Sequence, residues 1–268
     1  MAEEEGAYKS AAKLYAKLAN ECIDDYATAA NLLFHNAECL FFAGKTYAAT
    51  EAYKNLVKNY RMQIPLNTVF ERMRQLANNY RDGIGTFLWI ADPLAAINTY
   101  RFIIDETPSI TASLSDRHEL IQRLINDTQL KEAVNECQKI IKELPNNAET
   151  RYRLAQLLNE LAKSADGDGR ISKSAAREAQ AYLNLNTGDE QRMAEMREII
   201  QNAHESEATR LLNLAKYYLS PRHIQKNAAR RYLFDITRDF PDTAAAIEAN
   251  EIISSQLSDN VKAGNDQE

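Results

Sequence analysis

"AANLLFHNAECLFFAGKTYAATEAYKNLVKNY", residues 29–60, decides the fold. On both sides of "AGKTY" apolar side chains recur at i, i+3, i+4 and i+7, the spacing of one helix face. Two amphipathic helices joined by a tight turn are expected. Gly44 stands where the first would end, and glycine adopts the left-handed conformation of a helix C-terminus without a Cβ penalty. Alternating β-branched runs are missing from the rest of the chain. Gly (8) and Pro (6) are scarce among 268 residues, which favours few, long elements.

The spacing of the second helix returns elsewhere. Ala49 is followed by Tyr53 and Leu56, with Arg61 closing the pattern. The same intervals give Ala96, Tyr100, Ile103 and Pro108; then Ala133, Cys137, Ile140 and Pro145; then Ala229, Leu233, Ile236 and Pro241. Ala12, Ala16 and Ala19 fit more weakly. The small residue marks a close helix crossing, and the proline ends the helix because it has no N–H and restricts its predecessor. This is the second-helix pattern of the tetratricopeptide repeat. First helices agree: Leu33, Ala37 and Leu40; Met73, Leu76, Ala77 and Tyr80; Arg151, Leu154, Ala155 and Leu158, with Arg151 a departure from the apolar pattern. The expected fold is an all-α superhelix of about five helix-turn-helix units, each burying its apolar stripe on its neighbours. The reading treats 1–268 as a single repeat domain, with N-terminal repeats over 7–110, C-terminal repeats over 113–257 and a disordered tail over 258–268. Residues 189–219 read as one long helix or two nearly continuous ones. Two turns look enlarged, "RDGIGTFLWI" (81–90) and "SADGDGRIS" (164–172), the second lying between helices expected at 148–163 and 172–184, with Ser172 as N-cap.

Charge and composition exclude several functions. The net charge is −6 and no basic stripe interleaves with aromatics, so nucleic acid and anionic lipid surfaces are poor partners. Cys22, Cys39 and Cys137 are far apart, which supports neither a disulfide framework nor a zinc site. No run is long and apolar enough to span a bilayer, and the acidic opening "MAEEEGAYKS" is unlike a signal peptide. His35, His118, His204 and His223 each stand alone, and "DGIGTF" follows a helix where a phosphate cradle would follow a strand. Neither an enzyme nor a cofactor is expected. "SADGDGRISKSA" (164–175) resembles a calcium loop through Asp166 and Asp168, but Ala175 occupies the place of the bidentate carboxylate, so a polar turn is expected and no metal site.

Within "EATRLLNLAKYYLSPRHIQKNAARRYLFDITRDFPDT" (207–243), Ala215, Lys216, Tyr217, Tyr218, Ala228, Ala229, Arg230, Pro241, Asp242 and Thr243 form a more specific motif. It resembles the last repeat of the BamD-like outer-membrane-protein assembly lipoproteins, the competence lipoprotein family. The resemblance implies a non-catalytic scaffold on the periplasmic side of the outer membrane, held by a lipid anchor that this chain lacks. It also implies that unfolded outer-membrane protein segments meet residues 30–108 and that the barrel-assembly subunit meets 205–257. A generic repeat adaptor, in the envelope or the cytosol, is the other reading.

In such repeats the first helices line a concave face. The positions are Asn31, Phe34, Glu38 and Phe41 in one unit and Glu71, Arg74, Asn78 and Arg81 in the next. Aromatics beside Arg74 and Arg81 would suit a peptide with an apolar end and a carboxylate. The alternative is that the insertion carrying Phe87 and Trp89 covers both rings. That insertion either folds against its own unit or stands out as a knob for docking a partner.

Overall fold

The computed structural model describes residues 2–22, 24–165 and 169–256. The described residues hold twelve α-helices and one short 3₁₀ turn, and no strand. The chain divides into two compact units, Met1–Glu136 and Cys137–Glu268. The division expected near 110–113 thus falls later, within the helix Leu130–Glu143.

The first unit is built from α1 (Ala2–Glu21), α2 (Tyr26–Phe42), α3 (Thr46–Asn59), α4 (Leu66–Asp82), α5 (Pro93–Asp105), α6 (Leu114–Asn126) and the start of α7 (Leu130–Glu143). From α1 to α6 each helix packs on its neighbour in sequence, the mark of a helical repeat. Gly44 turns the chain from α2 into α3 at φ 65°, the left-handed conformation its position requires. Asp25 caps α2 by accepting from the Thr28 N–H. Asp92 caps α5 by accepting from the Ala95 N–H at 2.9 Å, with Pro93 as the first helical residue. The core gathers Ala37, Ala49, Tyr53, Leu56, Val69, Met73 and Leu76, with Leu33 and Leu40 packed against it.

The second unit contains α8 (Ala148–Ala165), α9 (Arg170–Leu183), α10 (Glu190–Leu219), α11 (Lys226–Asp239) and α12 (Ala244–Gln256). Glu190–Leu219 is one helix of 30 residues, and α9, α11 and α12 all pack on it. Asp189 caps it by accepting from the Arg192 N–H at 3.1 Å. Thr243 caps α12, accepting from the Ala246 N–H at 3.2 Å. Ala208, Leu212, Ala215, Leu233, Ile236 and Ala249 form the core here.

The repeat pattern is written in burial. Ala49, Ala96, Ala133 and Ala229 are all buried, and so are Tyr53, Tyr100, Cys137 and Leu233 four places on. Each large apolar side chain so enclosed contributes about 1.5–3 kcal/mol. The prolines end their helices as expected: α5, α7 and α11 stop at Asp105, Glu143 and Asp239, before Pro108, Pro145 and Pro241. Arg151, the departure, donates to the Pro145 carbonyl and pairs with the buried Glu178 at 2.6 Å.

The reading of 164–172 as an enlarged turn needs correction. α8 continues to Ala165 and α9 starts at Arg170, so the extra residues lengthen the helices. Ser172 lies inside α9, and the N-cap is Gly169 at φ 74°. Asp166, Asp168 and the tail 258–268 lie outside the described residues.

Candidate binding surfaces

Most of the predicted concave positions on α2 and α4 are engaged, each with residues outside the predicted set. Phe34 and Phe41 are half-buried and pack against the core of their unit. The guanidinium of Arg72 lies 4.8 Å from the Phe41 ring centroid and 5.2 Å from that of Phe42. Glu38 accepts from Arg72 at 3.0 Å and from the hydroxyl of Tyr53. Burial and that bond to Glu38 push the Tyr53 phenol far up. The covering expected from the insertion is therefore supplied by Arg72, a position outside the predicted set.

The two arginines offered to a carboxylate already hold one each. Arg74 meets the buried Asp116 in a bidentate pair, Nε at 2.6 Å and Nη2 at 2.9 Å. Arg81 grips Asp82 in the same way, at 2.7 and 2.9 Å. Asn78 accepts from Arg123 at 2.8 Å, while Asn31 and Glu71 are exposed. Arg123 is buried with its guanidinium 4.8 Å from the Tyr100 ring centroid. With Arg81, Pro93, Ala96, Asn126 and Asp127 it lines a cavity of about 100 Å³. Sequence reading missed Arg123 because an arginine on a helix signals exposure unless its partners are known.

The insertion between α4 and α5 does not cover the phenylalanines. Its large side chains face solvent: Phe87 is 77% exposed, Leu88 68%, Trp89 78% and Ile90 62%. Below them the backbone is clamped. Thr86 Oγ1 lies 2.7 Å from the carbonyl oxygens of both Gly83 and Ile90. The Asp92 N–H donates to Tyr80 O at 2.8 Å, and Thr46 Oγ1 donates to Ile84 O at 2.8 Å. Tyr47 donates to Asp92 at 2.6 Å, which ties the α5 cap to α3. Gly83 and Gly85 have φ of 71° and 68°. A Cβ on Gly83 would stand 2.3 Å from Trp89 O, and one on Gly85 2.3 Å from Gly44 O. Leu88 and Trp89 also sit at positive φ, 54° and 59°, where a bulky residue is strained. The result is a stiff, apolar knob.

The second unit presents a different surface at the α10–α11 connection. His223 stacks on Tyr217 at 4.3 Å, Tyr217 meets Tyr218 edge-on at 5.3 Å, and Tyr218 stacks on Tyr232 at 5.9 Å. Tyr217, Ile224 and Phe234 are exposed there. Arg222, Lys226 and Arg231 are exposed and form no ion pair with any described residue. Among the described residues no cluster of three or more His, Cys, Asp or Glu is placed to hold a metal ion. None of their helices is long and apolar enough to cross a membrane.

No family model matches the chain, and no curated protein matches it. Among solved structures it is similar to the C-terminal part of a TPR repeat-containing protein from Cytophaga hutchinsonii, at 15% identity over 91% of this chain and 94% of that one, with a TM-score of 0.38. That superposition is loose, and the repeat architecture stands on this chain's own buried positions: alanine at each helix crossing, a large side chain four residues later, and a helix stop before each proline.

Proposed function

We propose that the chain is a non-catalytic protein-binding scaffold whose second unit docks an acidic partner segment at the α10–α11 connection. One observation carries this reading. In a chain of net charge −6, three exposed cations that form no ion pair with any described residue flank, along the sequence, a stack of His223 and three tyrosines. Aromatic and arginine side chains supply most of the energy of protein interfaces, and unpaired cations steer acidic surfaces toward them. The test is capture of partners by the full chain against R222E/K226E/R231E. The triple variant is expected to lose partners at low salt while keeping its helix content. Unchanged capture would remove the reading.

A finer reading has support from the 215–243 motif. Ala215 and Ala229 are buried, Lys216 pairs with Glu248 at 2.6 Å, and Thr243 caps α12, so the motif residues do structural work in one hairpin and its successor. The finer function is assembly of outer-membrane β-barrel proteins from the periplasmic side, with unfolded barrel segments and the barrel subunit as partners. Cross-linking in the native cell envelope tests it. Barrel-subunit adducts through Tyr217 or Phe234 are expected, and adducts with cytosolic proteins alone would favour the generic adaptor.

A further inference from the structure

Between Asp82 and Asp92 no residue carries a charge, and Phe87, Leu88, Trp89 and Ile90 stand out into water. We propose that this knob is a lipid-surface anchor that wedges into the interfacial layer of a zwitterionic bilayer. It goes beyond the scaffold reading, which rests on the other unit.

Two observations select lipid over a protein cleft. First, the four exposed side chains are apolar, apart from the indole N–H of Trp89. Tryptophan is the residue that settles at the membrane–water boundary, where water and headgroups meet the backbone groups of the tip, whereas protein interfaces pair an apolar centre with polar groups that fix orientation. Second, the charges at the base have both signs: the Arg81–Asp82 pair, Asp92, and Lys45 beside the Gly44 carbonyl against which Gly85 packs. A ring of both signs complements a zwitterionic headgroup layer, while the net charge of −6 opposes an anionic one.

The backbone strain fits the same purpose. Leu88 and Trp89 hold left-handed conformations that glycine or asparagine would adopt with less strain, and the clamp below keeps them there. The conformation turns two large apolar side chains outward side by side.

Trp89 is the chain's single tryptophan, so its fluorescence reports on the knob alone. The full chain is mixed with phosphatidylcholine vesicles, with and without bromine atoms on the acyl chains. A blue shift of emission and quenching by the brominated lipid are expected. Leu88→Asp should abolish both and lower co-sedimentation with vesicles at least about tenfold. Its helix content should not change, because aspartate tolerates φ near 54°. R222E/K226E/R231E should bind vesicles like the parent, which separates this proposal from the scaffold reading. No shift with lipid, or equal binding by Leu88→Asp, would overturn it. A blue shift that grows with protein concentration without lipid would overturn it in favour of a second copy. A shift that appears only with a protein partner would overturn it in favour of a cleft.

Discussion

At the scale of single residues, the clearest outcomes concern the glycines under the knob. Gly85→Ala puts a Cβ within 2.3 Å of the Gly44 carbonyl at a φ that alanine resists. Thermal unfolding should show a loss of about 2 kcal/mol or more. Tyr47 gives a pH signature. Its hydrogen bond to Asp92, helped by burial, pushes the phenol up to about 12 from its ordinary value. The unfolded phenol ionises first, so the bond's contribution is complete below pH about 10 and is lost as pH rises from about 10 to about 12. Melting followed across that window should show a smaller loss in Tyr47→Phe than in the parent, since Tyr152 and other raised phenols still contribute. Residue-level function was the least legible part of the sequence. Phe34 and Phe41 pack against the core of their unit beside Leu33 and Leu40, and nothing local reveals that Arg72 lies over Phe41, or that Arg74 finds Asp116 42 positions away.

At the scale of elements, most of the helices were legible because period and punctuation agreed. The α2–α3 turn at Gly44 and the uninterrupted α10 follow from glycine and proline placement. α8 and α9 show where this fails. Aspartate and glycine at 166–169 read as a long loop, yet helix propagates through Ala165 and resumes at Arg170, since tertiary packing overrides weak local preferences. Glu207 on α10 contributes to that arrangement: it is buried, receives Lys173 from α9 at 2.9 Å and Arg210 at 2.6 Å, and its oxygen would lie 3.0 Å from a Cβ on Gly169. Arg210, and then Lys173, hold its carboxyl below the usual carboxylate range against the opposing effect of burial. Stability from this group is therefore present above the unfolded value and lost as pH falls below about 4.5. Glu207→Ala should cost about 1–3 kcal/mol in urea unfolding and remove that acid-side loss. In the first unit, Asp116→Ala strands the guanidinium of Arg74, and a cost of about 3 kcal/mol is expected in the same measurement.

At the scale of the whole molecule, the repeat class was readable from four alanines and three prolines, while the division into two units was not. Neither composition nor a break in the pattern marks position 136, because α7 runs through it. Repeat arrays gain stability from intrinsic terms and nearest-neighbour contacts. Leu233→Ala, at a fully buried site, should cost about 2–4 kcal/mol, with the loss of hydrogen-exchange protection confined to 137–256.

The apolar knob also sets the colloidal behaviour of the protein. Four large side chains open to water invite copies to adhere, and the mutual repulsion of chains carrying −6 opposes it. That repulsion vanishes near pH 5.4, where the net charge reaches zero. Turbidity should peak there and increase with added salt at neutral pH, where screening weakens the same repulsion. Leu88→Asp should suppress both the peak and the rise with salt, since one carboxylate at the tip keeps every approaching copy hydrated.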